Sequence, residues 1–387
     1  MRKICVITGT RAEFGLLSGL MRLIQASNQC RLQVIATNMH LSERYGNTYK
    51  EIENSGFSID YKVPILDDNT PDDSTSTISA MARALTGFAN AYDSLQPDLL
   101  VVLGDRFEML SVAEAALIKQ IPIAHIHGGE LTYGAYDDAI RHSITKMSHL
   151  HFTATEEYRK RVIQMGEQPD KVFYVGALGV ENIKKKELLS KAELEASIDF
   201  TVDEKTLLVT YHPVTLSCSN PLEDINALLC ALDEHPELRV IFTMPNSDTG
   251  GQLIADAIYN YAKRNAQRIR AFKSLGMRRY LSVMKYAGAV VGNSSSGLLE
   301  TPSFGIPTLN IGNRQQGRIA AESVHNCGTS EKEISEGLKH ILSADFRKMC
   351  KTVQNPYEKA DTAESIFKVI STIPLDNLIQ KHFYDLG

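Results

Sequence analysis

The chain has 387 residues, a length that at ~150 residues per domain predicts about two domains. Of its residues, 43% are apolar and 22% charged, which is typical of a folded protein. Its 46 acidic and 41 basic residues give a formal net charge of −5, which argues against a broad nucleic-acid-binding face and against a polybasic membrane-surface protein. No apolar run approaches the ~18–20 residues of a membrane span. The first apolar stretch, residues 4–7, is too short for a secretory signal. Six cysteines without a CxxC pair favour a cytoplasmic location.

Short apolar runs rich in β-branched residues alternate with segments of helical length. In the first half these runs cover residues 4–8, 32–37, 59–63, 99–103, 121–126, 151–153 and 172–175. In the second half they cover residues 207–211, 240–243, 269–272, 289–291 and 308–311. Such runs are typical of strands buried on both faces of a parallel sheet, and residues 11–26 between the first two carry apolar side chains at helical spacing. The alternation predicts an α/β fold of two doubly wound, Rossmann-like domains that face a cleft.

The composition places a domain boundary near Gly176. Residues 1–176 are expected to form an N-terminal Rossmann-like domain and residues 177–361 a second one. Residues 180–203 are rich in Lys and Glu and are expected to form a connection with an exposed helix. The amphipathic segment 362–387 is expected to pack back onto the first domain as a helix. The acidic, Ser/Thr-rich stretch 66–79 is expected to be a loop, either a mobile lid or a solvated connection.

Polar residues follow most of the predicted strands. The turns concerned begin at Gly9, Gly104, His127, His212, Met244, Gly292 and Gly312. The carboxyl ends of parallel strands meet at one edge of a sheet, and doubly wound sheets bind ligands at that edge. Turns are polar in any case, so the joint placement, rather than any single turn, predicts a ligand site.

The stretch from Gly292 to Gly297 is a Gly/Ser turn that leads from a strand into a helix expected to begin near Ser296. Backbone N–H groups and hydroxyls at a helix start bind anions, so the turn favours a phosphate site over an ordinary helix cap. Glu300 lies in the first turns of that helix. It is expected either to accept hydrogen bonds from a ribose diol or to act only as a favourable partner of the helix dipole.

Three arginines, Arg11, Arg106 and Arg314, each follow a strand closely. A guanidinium group matches phosphate oxygens well, although each arginine taken alone fits a surface ion pair equally. No GxGxxG follows the first strand and no GxxxxGK[ST] occurs, which disfavours a dinucleotide oxidoreductase and a Walker-type NTPase.

The stretch 125–142 holds the densest set of acid–base side chains: His125, His127, Glu130, Asp137, Asp138 and His142. One interpretation is a metal site, because His-x-His on a strand places both rings on one face. The other is metal-free acid–base chemistry by carboxylates and histidine. The spacing matches no closed zinc signature, and no cysteine joins it, so the second interpretation is favoured. His149 and His151 are assigned no role.

The motifs TGTRAEFG, GDRFE, HIHGGE, DDAIRHSITKMSHLH, HPVT, PNSDTG, GNSSSG and GNRQQGR occur in this order between residue 8 and about residue 320. In these motifs the chain resembles the hydrolysing UDP-N-acetylglucosamine 2-epimerases of bacterial sialic-acid-type sugar biosynthesis and the epimerase half of the animal bifunctional enzyme. The resemblance implies a fold of the GT-B type with a UDP-sugar in the interdomain cleft. It also implies cleavage of UDP-GlcNAc to UDP and N-acetylmannosamine through a glycal, with no metal, NAD or other cofactor.

The resemblance also implies roles for individual residues. Asp105 and Asp137 match acidic catalytic positions, and His212 matches a catalytic and phosphate-contacting histidine. UDP-binding positions are matched by Arg11, Arg106, Ser294, Ser295, Glu300 and Arg314, and Asn246 in the PNSDTG motif is expected to bind substrate.

The chain departs from the family pattern at two positions. His127 stands where many relatives have the glutamate of HIEGGE, a proposed catalytic residue, so either His127 or Glu130 is expected to take over the acid–base role. Gly15 stands where relatives can have a hydroxyl that contacts the nucleotide.

The His127 variant is associated with a subgroup of sialic-acid and legionaminic-acid pathways. A UDP-2,4-diacetamido-2,4,6-trideoxy sugar is therefore the alternative substrate. A GT-B glycosyltransferase and a non-catalytic UDP-sugar-binding protein are less favoured. The expected partner is a small UDP-sugar, not nucleic acid or membrane, and by analogy with relatives the chain is expected to form a homo-oligomer, a dimer or a tetramer.

Overall fold

The computed structural model describes residues 1–71, 73–216, 220–245, 248 and 250–387. The chain divides into two compact units, and each is discontinuous in sequence. The first unit consists of Met1–Glu130, Asp137–Asn182 and Tyr357–Gly387, and the second of Leu131–Tyr136 and Ile183–Pro356. The sequence interpretation placed the boundary at residue 176, whereas this division places it after Asn182. Among the described residues, no helix is long and apolar enough to cross a membrane.

The first part of the chain alternates strands and helices. Its elements are β1 (Arg2–Thr8), α1 (Arg11–Ala26), β2 (Cys30–Thr37), α2 (Tyr49–Asn54), β3 (Tyr61–Val63), α3 (Ser74–Leu95), β4 (Leu99–Leu103), α4 (Phe107–Ile118), β5 (Ile123–Ile126), α5 (Asp137–Met147), β6 (Leu150–Thr153), α6 (Glu156–Gln164), β7 (Val172–Tyr174) and α7 (Leu178–Lys185). The strands form one parallel sheet in the order β3-β2-β1-β4-β5-β6-β7.

The second part repeats the pattern. Its elements are α8 (Lys191–Ile198), β8 (Thr206–Thr210), α9 (Pro221–Asp233), β9 (Arg239–Thr243), α10 (Gly251–Arg264), β10 (Ile269–Phe272), α11 (Gly276–Tyr286), β11 (Ala289–Gly292), α12 (Ser296–Leu299), β12 (Thr308–Ile311), β13 (Val324–Cys327), α13 (Glu331–Ile341), α14 (Ala344–Cys350) and α15 (Thr362–Thr372). Strands β8–β13 form a parallel sheet in the order β10-β9-β8-β11-β12-β13. Helix α15 belongs to the first unit.

The predicted α/β class of doubly wound parallel sheets is confirmed, and burial explains why the apolar runs predicted it. Every residue of β4 is buried, because helices cover both faces of a parallel sheet. On α1, the side chains of Leu17, Leu20, Met21 and Ile24 are fully buried on one face. Strand β13 was missed because its sequence, VHNC, is polar and its residues are only partly buried.

The loop predicted over residues 66–79 is wrong for residues 74–79, which begin α3. The side chain of Asp73 accepts a hydrogen bond of 2.8 Å from the backbone N–H of Ser76 and so caps this helix. Further back, the Asp68 carboxylate accepts hydrogen bonds from the Ser42 hydroxyl and, at 2.8 Å, from the Glu43 N–H. The helix therefore begins within a Ser/Thr-rich stretch because the side chain of Asp73 caps it, although the composition of the stretch is typical of a loop.

An ionic network around the buried Glu167 carboxylate anchors the C-terminal segment to the far end of α5. The Lys381 ammonium donates hydrogen bonds to the carbonyls of Lys146 at 2.8 Å and Ser148 at 2.6 Å, and lies 2.7 Å from the Glu167 carboxylate. Lys146 and His151 donate to the same carboxylate at 2.6 and 3.0 Å. Because α5 begins at Asp137, this network holds the helix that carries one of the predicted catalytic residues.

Replacing Glu167 should destabilise the first unit in a pH-dependent way. Burial alone would raise the pKa of Glu167, but His151, Lys146 and Lys381 lower it from 4.5 to about 2. A lowered carboxyl pKa means that the stabilisation is present above pH 4.5 and is lost as the pH falls toward 2. At pH 7, Glu167→Gln should lower the free energy of unfolding by about 3 kcal/mol. Urea denaturation followed by circular dichroism measures this loss, which should shrink below pH 4.

Asp170→Asn is a suitable control because Asp170 makes only an exposed ion pair, with Lys171 at 2.9 Å. It should change the free energy of unfolding by less than about 1 kcal/mol. An effect of Glu167→Gln that is equally large at pH 7 and pH 3 would contradict this electrostatic explanation.

Candidate functional site

Each sheet has one point at which the strand order reverses, and several of the predicted site residues lie beside these two points. In the first unit the reversal falls between β1 and β4, and in the second between β8 and β11. At such a switch point the connections that follow the two neighbouring strands run to opposite faces of the sheet. They leave a crevice at the carboxyl ends of these strands. Arg11, Asp105 and Arg106 follow the first pair of strands, and His212 and Ser294 follow the second. The site residues therefore form one group in each unit.

The buried guanidinium of Arg141 organises the group in the first unit. Arg141 is 1% exposed, and one of its terminal nitrogens donates to the Asp105 carboxylate. The other donates to the Glu130 carbonyl at 2.8 Å and lies 3.4 Å from the Asp138 carboxylate. Arg141 lies in the DDAIRHSITKMSHLH motif, but the sequence analysis assigned it no role. Its position one helical turn after two acidic residues could have indicated that it pairs with a carboxylate.

His127 and Glu130 form a hydrogen-bonded pair at the end of β5. The ring Nδ1 of His127 lies 2.8 Å from Oε1 of Glu130, and both side chains are buried. The backbone of His127 has φ = +69°, a left-handed conformation that is uncommon for residues other than glycine. Within the described part of the chain, Nε2 of His127 is buried and has no hydrogen-bond partner.

The metal interpretation assumed that His125 and His127 share a strand face, and this assumption is wrong. Strand β5 ends at Ile126, so the backbone turns before His127 and the alternation of side chains is lost. Both ring nitrogens of His125 are engaged, Nε2 at 2.8 Å from the Gly104 carbonyl and Nδ1 at 3.3 Å from the Thr145 hydroxyl. Burial lowers the pKa of His125 to about 3, so this ring is neutral at pH 7.

Within residues 125–142, all of which the structure describes, no three acidic or histidine side chains bring ligand atoms together as a metal would require. The described group that does so, Glu181, Asp361 and Glu364, lies outside this stretch. We assign it no function.

Asp137 and Asp138 begin α5, where the helix dipole favours negative charge. Asp138 lies between Arg141 and His142, whose Nε2 is 3.5 Å away. Burial lowers the pKa of His142. The Asp137 side chain is partly exposed at the first position of the helix.

Two glutamates that sequence reasoning missed surround Arg106. The Arg106 Nε lies 3.1 Å from Glu108 Oε1 and 3.9 Å from Glu13 Oε1. Glu13 also accepts hydrogen bonds from the N–H groups of Gly9, at 2.7 Å, and Thr10, at 3.2 Å. Thr10 and Glu13 form a capping box at the start of α1, and TxxE was the signal that could have shown it. Arg106 is thus held by buried carboxylates instead of a surface ion pair.

Arg11 also has an acidic partner. Its guanidinium forms an ion pair with Glu51 on α2, and both side chains are partly exposed. Arg11 and Arg106 are thus both held by ion pairs. Phosphate binding by Arg11 and Arg106 stays a prediction.

In the second unit, the buried side chain of Asn293 joins three of the predicted turns. Its Oδ1 accepts a 2.6 Å hydrogen bond from the His212 N–H, and its Nδ2 donates to the His212 carbonyl at 2.8 Å. Its own carbonyl accepts hydrogen bonds from Arg314 at 3.2 Å and Gln315 at 2.8 Å. The turns after β8, β11 and β12 are therefore fixed relative to one another.

Glycine is required where β11 ends. Gly292 has φ = +129°, and a Cβ there would lie 2.0 Å from the Thr210 carbonyl oxygen. Helix α12 begins at Ser296, as predicted, but it ends at Leu299 after a single turn. Ser294 and Ser295 are partly exposed at its start, and Glu300 follows its end. Phosphate binding at the serines stays a prediction, and Asn246 lies outside the described residues.

The chain leaves the first unit after Glu130 and returns to it at Asp137. Between these residues, segment Leu131–Tyr136 packs within the second unit. The Gly134 carbonyl accepts a hydrogen bond from the Leu216 N–H at 3.2 Å, and a Cβ on Gly134 would lie 2.9 Å from Arg314 Cα. Segment Leu131–Tyr136 therefore contacts the turn that carries Arg314 within the second unit.

Replacing Glu13 should flatten the pH dependence of stability. Burial and then the like charge of Glu108 raise the pKa of Glu13 from 4.5 to about 7. A raised carboxyl pKa means that the stabilisation is present below pH 4.5 and is lost as the pH rises through 7. Glu13→Gln keeps an oxygen acceptor for the N–H groups of Gly9 and Thr10 but cannot ionise. Guanidinium denaturation between pH 5 and pH 8 should show a smaller decline for this variant than for wild type.

Glu53→Gln provides the control, because Glu53 and its partner Lys62 are both exposed. This variant should keep the wild-type slope. A decline for Glu13→Gln equal to that of wild type would contradict the raised pKa, because a carboxyl that is already ionised at pH 5 adds nothing to the slope above it.

Comparison with known proteins identifies the family. Residues 22–371 match the family described as UDP-N-acetylglucosamine 2-epimerase. The chain is 42% identical to the GDP/UDP-N,N'-diacetylbacillosamine 2-epimerase (hydrolyzing) of Campylobacter jejuni, over 100% of this chain and 99% of that protein. It is 38% identical to the polysialic acid biosynthesis protein P7 of Escherichia coli, over 100% and 98% of the two chains. It is 34% identical to the UDP-N,N'-diacetylbacillosamine 2-epimerase (hydrolyzing) of Legionella pneumophila, over 98% of each.

Among solved structures, the fold is similar to that of the UDP-GlcNAc 2-epimerase from Neisseria meningitidis, which was crystallised with UDP-GlcNAc. The TM-score is 0.77 at 18% identity, over 95% of this chain and 99% of that one. This likeness supports the predicted GT-B-type fold class. With the family match over most of its length, the chain belongs to the UDP-N-acetylglucosamine 2-epimerase family.

Proposed function

We propose that the protein is a hydrolysing 2-epimerase that cleaves a UDP-linked 2-acetamido sugar to UDP and the free C2 epimer. The observation that carries this proposal is the 42% identity, over the whole chain, to a Campylobacter jejuni protein that is named as such an enzyme. The carboxylates and histidines in the turns that follow the strands are the groups that this reaction needs.

The reaction takes place in two balanced steps. A base removes the proton at C2, the C–H electron pair forms a C1–C2 double bond, and the C1–O bond breaks with its electrons leaving on UDP. Water then adds to C1 of this glycal, and a proton returns to C2 on the opposite face. The reaction needs acid–base groups on both faces of the sugar and stabilisation of the leaving diphosphate.

We propose UDP-N,N'-diacetylbacillosamine, a 2,4-diacetamido-2,4,6-trideoxy sugar, as the substrate. Two of the three relatives described above, at 42% and 34% identity, carry this sugar in their names. UDP-GlcNAc has the same 2-acetamido group at the carbon that is epimerised and differs at C4 and C6. It is the competing substrate in the experiment below.

In this proposal the two units divide the work. Asp105 and Asp137 of the first unit act on the protons of the sugar ring. His212, with Ser294, Ser295, Glu300 and Arg314 of the second unit, binds UDP, and Arg11 and Arg106 donate hydrogen bonds to UDP. Substrate binding by Asn246, the absence of a cofactor, a homo-oligomeric state and a cytoplasmic location stay predictions from the sequence.

An assay with both UDP-sugars in D2O tests the reaction and the substrate together. UDP-N,N'-diacetylbacillosamine should yield UDP and a free sugar with deuterium at C2, because the returning proton comes from solvent. Proton NMR of the product and a coupled assay for UDP measure the two products. EDTA should leave the rate unchanged. Faster turnover of UDP-GlcNAc would overturn the substrate assignment alone, whereas accumulation of a UDP-linked epimer would exclude the hydrolysing reaction.

Replacing Asp105 tests its acid–base role. Asp105→Asn retains a hydrogen-bond acceptor for Arg141 but cannot carry a proton, so kcat should fall by about 10²–10⁴-fold. KM should change little, because the proton transfer stabilises the transition state and not the bound substrate. Steady-state kinetics and circular dichroism measure activity and folding.

The matched control is Asp203→Asn. Asp203 pairs with Arg239 in the second unit and is partly exposed, like Asp105. This variant should keep wild-type kcat. A kcat for Asp105→Asn within about threefold of wild type would remove Asp105 from the reaction.

A further inference from the structure

The pairing of His127 with Glu130 allows the two residues to be assigned different tasks. Glu130 is 1% exposed, and its Oε1 lies 2.8 Å from His127 Nδ1. A carboxylate accepts hydrogen bonds and does not donate them, so Nδ1 carries the hydrogen. In the neutral ring this tautomer leaves Nε2 as a bare acceptor.

The opposite ring nitrogen is buried and unsatisfied. Within the described part of the chain, Nε2 of His127 makes no hydrogen bond, although burying a polar atom without a partner costs free energy. His125 differs, because both of its nitrogens have partners. One histidine of the HIH sequence is therefore satisfied, and the other presents an unused acceptor.

The backbone at His127 is also held in an unfavourable conformation. Its φ is +69°, in the left-handed region that residues other than glycine rarely adopt. The conformation is fixed by a 2.8 Å hydrogen bond from the His127 N–H to the Phe152 carbonyl, and Gly129, at φ = +79°, continues the turn. A Cβ on Gly129 would lie 2.5 Å from the Tyr158 carbonyl oxygen. The fold thus maintains a strained turn that fixes the position of the ring.

Arg141 connects this pair to Asp105. It donates to the Glu130 carbonyl through one nitrogen and to the Asp105 carboxylate through the other. Asp105 follows β4, and His127 follows β5, its direct neighbour in the sheet. The unsatisfied ring nitrogen therefore belongs to the same hydrogen-bonded group as a proposed catalytic carboxylate.

We propose that Nε2 of His127 transfers a proton in the 2-epimerase reaction and that Glu130 is a positioning residue, which fixes the tautomer and orientation of the ring through Nδ1. Arg141 positions the Glu130 backbone and the Asp105 carboxylate together. The inference rests on the proposed function and decides which member of the pair touches the substrate. In the elimination step, Nε2 accepts the C2 proton, or, on the other face, the protonated ring returns one to C2 of the glycal. No further reactant is needed.

The test uses His127→Asn, Glu130→Gln and the double variant in the full-length protein, with the UDP-sugar that wild type turns over. Asparagine tolerates a positive φ, and its amide can donate to Glu130 but offers no group in place of Nε2. We expect His127→Asn to lower kcat by about 10²–10⁴-fold with little change in KM. Glu130→Gln keeps an acceptor for Nδ1 and should lower kcat by about tenfold. The double variant should be no slower than His127→Asn, since positioning has no effect once the ring is absent.

His235→Gln is the matched control. His235 is buried to a similar extent, its Nδ1 lies 3.5 Å from Glu237, and its Nε2 also lacks a partner in the described residues. It lies just before β9, at the opposite end of that strand from the polar turns, so its replacement should leave kcat unchanged. Thermal unfolding of every variant shows whether a loss of activity reflects a loss of folding.

Several outcomes would overturn the inference. A His127→Asn kcat within about threefold of wild type would exclude Nε2 from the reaction. Effects of the two substitutions that multiply in the double variant would show that Glu130 acts independently of the ring. If His127→Asn fails to fold, His127→Gln is measured in its place against the same criteria. Wild type that releases UDP from neither sugar would overturn the proposed function itself, a result distinct from loss of activity in the variants alone.

Discussion

A guanidinium group buried in the first unit needs negative or carbonyl partners on every side, and the arrangement around Arg141 follows from that need. An unpaired charge in this position would cost several kcal/mol, so the fold supplies the Asp105 carboxylate, the Asp138 carboxylate and the Glu130 carbonyl. These groups come from the turn after β4, the turn after β5 and the first turn of α5. One positive charge therefore brings together three segments of the first unit, and each of them carries a proposed catalytic residue: Asp105, His127 and Asp137.

Arg106, whose side chain is 11% exposed, has a different environment. Glu13 and Glu108 both face it, and they leave one carboxylate oxygen of Glu108 without a partner among the described residues. Burial raises the pKa of Glu13 most, and the like charge of Glu108 raises it further, while the charge of Arg106 opposes both effects. The net charge of −5 gives no indication of how these charged side chains are paired. The local pairing of charges, and not their sum, decides what each turn can bind.

The sequence predicted the class of fold because a parallel sheet buries both of its faces. Its strands therefore consist of continuous apolar runs such as Leu99–Leu103. It failed where a strand or helix depends on something other than apolar content. Strand β13 is polar and pairs only with β12 at the sheet edge, and α3 begins six residues early because Asp73 caps it. Periodicity carries no information on either feature.

For the site, the sequence by itself determined which turns carry polar residues, because the motifs stand directly after predicted strands. Only the tertiary structure decided what those residues contact. It shows that His127 contacts Glu130 and that Asp105 pairs with Arg141. It also shows that the backbone turns at His127, so the ring does not lie on the strand face that a metal site would have required. The physical reason is that such contacts depend on the path of the backbone: Asp105 and Arg141 are 36 residues apart, and the pair His127 and Glu130, only 3 residues apart, depends on the left-handed turn at His127. These contacts are set when the sheet and its turns assemble, and the order of residues does not encode them locally.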